Sequence, residues 1–200
     1  MALTEEGICN LALVRIGQRG LIDDLNEDTV EAQTAKAIYA PARDAVLASF
    51  WWQFATFRAA LAEVSGASVD GWEYVYAPPA SLLAPQYIWS GARRPSREAM
   101  IPFALEGDDT YGRLVYSDEP DAVLVYTKLV TEPAFFPPHF VQALAWKLAS
   151  EFALGLPIKV QAGLGMDQKY EAALRTAIAT DLRGQQVDPQ PDGETIAVRS

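Results

Sequence analysis

The stretch Tyr39–Leu61, YAPARDAVLASFWWQFATFRAAL, constrains this chain most, because helix-period apolar residues run into an aromatic cluster and then into strand-like alternation. Trp51, Trp52 and Phe54 carry large apolar areas on few rotatable bonds. With Tyr39 and Leu47 they are expected to form the structural core that locks a helical part against a β part. The fold class that follows is α+β: a helical bundle built from N- and C-terminal helices, carrying an inserted, mainly antiparallel β subdomain. The expected boundaries are 1–54 and 133–183 for the helical bundle domain, 55–132 for the inserted β subdomain and 184–200 for an extended C-terminal tail.

Two hundred residues, half of them apolar, suffice for one core with an insertion and are too apolar for intrinsic disorder. The single Cys9 makes no internal disulfide and reads as a small buried residue, which fits a reduced, cytoplasmic setting. MALTEEGICNLALVRIG lacks a basic start and a cleavage site, and no apolar run approaches roughly 18 residues, so neither secretion nor membrane spanning is expected. A net charge of −10 opposes a nucleic-acid clamp, which needs a basic stripe to displace counterions. It suits a surface past which DNA slides without sticking.

Along the chain, Thr4 is the expected cap of a first helix, with Glu5 and Glu6 in its first turn, Ile8, Leu11, Ala12 and Val14 on one face, and Gly17 or Gly20 at its end. A second helix is expected from Asp28 or Thr29, with Ala32, Ala35, Tyr39, Ala42 and Val46 in line and Pro41 bending or dividing it near Tyr39. From Thr56 to Tyr126 short alternating runs predict strands: TFRAAL, WEYVYA, QYIW, IPFALEG, GRLVYS and AVLVYT. Trp72, Tyr74 and Tyr76 are expected on one face, and the last three runs as a meander. FPPHF opens a third helix at Pro138, with Val141, Leu144, Ala145, Leu148 and Phe152 facing inward and Gly155 and Pro157 ending it. A final helix over 159–183 shows the stripe Tyr170, Leu174, Ile178, Leu182. GQQVDPQPDGETIAVRS, from Gly184, is polar and without periodicity; its apolar Val187, Ile196 and Val198 are candidate partner contacts.

Chemistry-bearing motifs are sparse. His139 is the only histidine, which excludes multi-histidine metal sites; no Ser or Cys nucleophile is placed in sequence to use it, and its place after two prolines favours a capping or surface role. Asp24, Asn26 and Asp28 match the first ligand positions of a calcium loop, but Thr29 replaces the turn glycine and Ala35 the bidentate glutamate. GASVD lacks the closing glycine of a nucleophile elbow, and GLG at 163–165 lacks the third glycine of a dinucleotide loop. Acidic pairs such as Asp108/Asp109 and Asp23/Asp24 could supply the two carboxylates of a glycosidase, but most such pairs in an acidic protein are solvated turn residues. No cofactor, metal or catalytic residue is expected. Arg93, Arg94 and Arg97 form a basic cluster with two readings: a solvated loop with local ion pairs, or a contact with an acidic partner or DNA phosphate.

In order and spacing, the chain resembles the head-to-tail adaptor, or tail tubular, proteins of short-tailed bacteriophages. The residues that carry the resemblance are LALVRIG; Tyr39, Arg43, Asp44 and Leu47 leading into WWQFA; Arg58 and Leu61; WEYVYAPPASLL; FALEGDDTYGRLVYSDE; AVLVYT; and FPPHFVQALAWKLASEFAL. Together they cover most of 11–154. Ala80 and Ser81 stand where such proteins often place Asp before the leucines. The resemblance implies a non-enzymatic virion protein at the head–tail interface, assembled in the host cytoplasm. It would form a ring of about twelve copies that binds the portal protein on one side and the tail nozzle protein on the other. Double-stranded DNA would pass through transiently and without specific binding. The alternative reading is a cell-wall glycosidase associated with a phage tail.

Overall fold

The computed structural model describes residues 3–91, 100–156 and 165–184. Among them the fold is α+β, with four α-helices and two antiparallel sheets. The helices are α1 (Glu5–Arg15), α2 (Val30–Ala48), α3 (Pro138–Gly155) and α4 (Met166–Arg183). The strands are β1 (Thr56–Ala60), β2 (Ala62–Glu63), β3 (Tyr74–Ala77), β4 (Leu82–Ile88), β5 (Phe103–Asp108), β6 (Gly112–Ser117) and β7 (Val123–Lys128).

Local chemistry explains the helix ends. Thr4 Oγ1 accepts from the Gly7 N–H at 3.1 Å and Thr29 Oγ1 from the Ala32 N–H at 3.2 Å, each satisfying an amide that a helix start leaves open. Gly17, at φ +81°, turns the chain out of α1 where a side chain would be strained. Proline opens α3 at its first position, where no amide is needed. Pro41 does not divide α2, which runs as one helix from Val30 to Ala48. Ala32, Ala35, Tyr39, Ala42, Val46 and Leu47 are all buried, and this packed face holds the helix together across the missing backbone bond.

Helix α3 is the hub, since α1, α2 and α4 each pack on it. Its expected inward residues are all buried. In α1 the buried face is Ile8, Cys9, Ala12, Leu13 and Ile16, while Leu11 and Val14 are 41% and 60% exposed. Ile8 and Ala12 are buried as expected, whereas Leu11 and Val14 face outward and Cys9, Leu13 and Ile16 take the inner positions, because apolar residues on both sides of α1 leave its pattern unable to select one. In α4, Met166, Ala177 and Asp181 are buried and Leu182 is exposed.

The strands form a three-stranded sheet, β1-β7-β4, and a four-stranded sheet, β2-β3-β6-β5. The last three runs are therefore not a meander: β5 and β6 make a hairpin, and β7 crosses to the other sheet. The corner between them is fixed by Asp121 at φ 51°, by Tyr76 Oη donating to the Glu119 carbonyl at 2.7 Å, and by the Asp118 carboxylate accepting the Glu73 N–H at 3.0 Å. Leu61, Tyr76, Ile88, Val115, Leu124 and Tyr126, from both sheets, meet in one apolar cluster. Tyr74 and Tyr76 stack at 6.1 Å on that side, whereas Trp72 precedes the strand and packs with Val75, Leu114 and Tyr116 on the opposite face.

An aromatic knot lies at the end of the helical core, in the segment that leads into β1. Trp52 is fully buried, its Nε1–H donates to the Val46 carbonyl at 2.8 Å, and its ring meets Phe50 at 5.4 Å and Phe140 at 5.3 Å. Phe54 touches Phe140 at 4.9 Å and Phe136 at 6.0 Å. Trp51 is not part of this core: 46% exposed, it leans on Tyr87 at 6.0 Å. Adjacent residues in an extended segment point to opposite sides, so only one of the pair can enter the knot. Trp52→Ala is expected to cost about 3 to 5 kcal/mol in chemical denaturation, and Trp51→Ala only about 1 kcal/mol.

Candidate subunit interface

A groove of about 520 Å³ runs between α3 and α4, lined by Pro138, His139, Gln142 and Trp146 of α3 and by Lys169, Ala172, Ala173, Thr176 and Ala177 of α4. Small residues on α4 keep its floor low. Trp146 forms one wall, and two cations approach its ring: the Arg15 guanidinium lies 4.3 Å from the ring centroid and the Lys169 ammonium 5.2 Å. Arg15 also donates to the Gln142 carbonyl at 3.1 Å and to the Gln142 side-chain oxygen, which ties α1 to α3. Burial pushes the Arg15 pKa down. In an acidic protein this makes an apolar trough with a cationic rim, a surface suited to an apolar ridge bordered by carboxylates.

The groove ends at a polar node. Asp181, 6% exposed, accepts the Gln53 backbone N–H through Oδ2 at 3.1 Å and lies 3.2 Å from His139 Nε2 through Oδ1. The His139 ring in turn lies over Trp52 at 6.0 Å. One carboxylate thus joins the end of α4, the start of α3 and the turn that leads into β1. A carboxylate in the last turn of a helix opposes the helix dipole, so its presence there signals a tertiary role. That signal was available in the sequence, where the apolar stripe drew attention to Leu182 instead of Asp181.

A second, polar pocket of about 350 Å³ opens between α1 and α2, lined by Glu5, Glu6, Asn26, Lys36, Tyr39 and Arg43. Arg43 is buried, paired with Asp44 at 2.8 Å. Tyr39 is 3% exposed and its hydroxyl lacks a hydrogen-bond partner among the described residues. Burial, reinforced by Glu5, raises the Tyr39 pKa. Burial likewise raises Glu5, and pushes the Cys9 thiol up to about 12. Cys9 is fully buried as expected.

Of the residues expected to form a site or core, Tyr39, Leu47, Trp52 and Phe54 pack in or against one core cluster. Arg93, Arg94, Arg97, Val187, Ile196 and Val198 lie outside the described residues. One carboxylate of each acidic pair is engaged in a turn: Asp108 Oδ1 accepts from the Thr110 and Tyr111 amides at 2.8 Å each, and Asp24 Oδ1 from the Asn26 amide at 2.8 Å. In the calcium-like loop, Asn26 Oδ1 accepts from Lys36 at 2.9 Å and Asp28 from Gln33 at 2.7 Å. Among the described residues, no three His, Cys, Asp or Glu side chains are grouped to hold a metal ion.

Asp181→Ala leaves the Gln53 amide without its acceptor and is expected to cost about 1 to 3 kcal/mol in denaturant unfolding. His139→Ala, which leaves that amide bonded, is expected to cost less. Cys9 binds its proton more tightly folded than unfolded, so stability is lost as pH rises above the unfolded thiol value, with a slope of up to about 1.4 kcal/mol per pH unit. Between pH 9 and 11, urea titrations of Cys9→Ala are expected to show a shallower decline than wild type.

Neither the protein-family models nor the curated proteins contain a match to this chain.

Proposed function

We propose that this chain is the subunit of a head-to-tail adaptor ring of a short-tailed bacteriophage, joining the portal to the tail nozzle around a channel for DNA. The observation that carries the reading is the convergence of the segments behind the resemblance. The end of α2, the WWQFA turn and the FPPHF start of α3 lie far apart in sequence, yet their Leu47, Trp52, Phe54, Phe136 and Phe140 belong to one packed cluster. A motif set distributed in this way reads as a packed joint for a structural subunit, with the four helices as a bundle and the β sheets as its insertion.

Two features support the assembly. The α3/α4 groove and the exposed Leu11 and Val14 of α1 give the helical part apolar surface for head-to-tail contacts between neighbours, which close when the rotation closes. The net charge of −10 keeps DNA from adhering to a conduit. The β part would face the nozzle or a neighbouring subunit, and segment 185–200 the portal.

Mass photometry and negative-stain imaging of the protein with the portal ring test this directly. Addition of about one ring of subunits per portal is expected. Ala173→Arg, which fills the groove with a long cationic side chain, is expected to abolish ring addition without lowering the melting temperature. A wild-type protein that stays monomeric with portal present contradicts the proposal.

A further inference from the structure

The polar pocket between α1 and α2 has walls of opposite charge. Glu5 and Glu6, in the first turn of α1, supply two carboxylates on one side. Lys36, Tyr39 and Arg43, spaced by three and then four residues along one face of α2, supply an ammonium, a phenol and a guanidinium on the other.

Each cation is held on its own side by a partner that is not on α1. Lys36 Nζ donates to Asn26 Oδ1 at 2.9 Å, and Arg43 Nε donates to Asp44 Oδ1 at 2.8 Å. Among the described residues, the Glu5 and Glu6 carboxylates take part in no ion pair or hydrogen bond, and the two terminal nitrogens of Arg43 make no hydrogen bond. Arg43 is nevertheless 7% exposed, and Tyr39, whose hydroxyl also lacks a partner among the described residues, 3%. Burial first, and then the neighbouring Glu5, raise the pKa of this hydroxyl; Arg43 and Glu6 act on it too, which puts it among the charged groups of the pocket.

Buried donors without acceptors are costly, so a phenol and a guanidinium left in this condition point to a bound group. A single ion answers only one wall: an anion on Arg43 faces Glu5 and Glu6, and a cation on those carboxylates faces Lys36 and Arg43. A molecule with both charges a few atoms apart answers both. Its carboxylate accepts from the Arg43 terminal nitrogens, whose planar fork matches it, and from the Tyr39 hydroxyl, while its ammonium donates to Glu5 and Glu6. The volume of about 350 Å³ lies at the small end of the range for small-molecule sites.

We propose that this pocket binds a small zwitterion of the α-amino acid class, its carboxylate on Arg43 and Tyr39 and its ammonium on Glu5 and Glu6. This inference does not depend on the adaptor reading.

NMR titration of the isotope-labelled full chain tests it, with glycine, L-alanine and L-leucine added in turn and acetate and ethylamine as probes that carry one charge each. At least one of the amino acids is expected to shift the Tyr39 and Arg43 amide signals saturably, with a Kd on the order of 1 mM or tighter. Acetate and ethylamine are expected to bind at least about tenfold more weakly. Tyr39→Phe removes a buried hydroxyl that has no protein partner to lose, so it is expected to keep the melting temperature while weakening amino acid binding about tenfold. Glu5→Gln/Glu6→Gln, on the opposite wall, is expected to weaken it as well. Absence of a saturable shift with all three amino acids, equal binding of acetate or ethylamine, or undiminished affinity in Tyr39→Phe overturns the proposal.

Discussion

The structure depends on the burial of one indole. Trp52 stands where α2 has ended and β1 has not begun, and its ring is enclosed by Phe50, Phe54, Phe140 and His139 while its N–H is bonded to the last turn of α2. A buried ring of this size fixes its neighbours in both distance and angle, because edge-to-face contacts tolerate little sliding. The direction in which β1 departs from the helices is set there. So is the seat of α3, whose first turn supplies Phe140 to the same cluster.

From this joint the remaining contacts follow in layers. Helix α3 carries α1, α2 and α4, and Asp181 reaches back from the end of α4 to the turn just after Trp52. That carboxylate closes the circuit between the end of α4 and the turn that follows α2. The groove between α3 and α4 lies beside this closure, so its shape is held by the same contacts that hold the core. A rigid trough with two cations on Trp146 is a better platform for a partner than a mobile one, since less ordering is required on binding. The β sheets add a second core of their own, joined to the first near Ala55, Leu83 and Val130.

Much of this was legible from residue pattern alone, and the failures have physical causes. Helices α2 and α3 stood out because their apolar residues repeat at helical spacing between clear caps, and the buried residues match. Helix α1 misled because Leu11 and Val14 are as apolar as the residues that pack. Strand β4 was read only from Gln86, because Pro85 masks its first half; two register shifts on an edge strand accommodate the proline. The crossing of β7 to the second sheet depends on a left-handed Asp121, which no period reveals. For the surfaces, sequence pointed to arginines and apolar residues in 93–97 and 187–198, which lie outside the described residues. The trough between α3 and α4 was invisible because it is made by what the alanines of α4 leave empty.

The central claim is that the Trp52 joint couples the helical core and the sheets into one cooperative unit. Native-state hydrogen exchange measured as a function of denaturant tests it most directly. The account predicts that the slowest amides of α3 and of β7 open with the same free energy and the same denaturant dependence. If β7 opens at markedly lower free energy while α3 remains protected, the two parts unfold separately and the joint is not what holds them together.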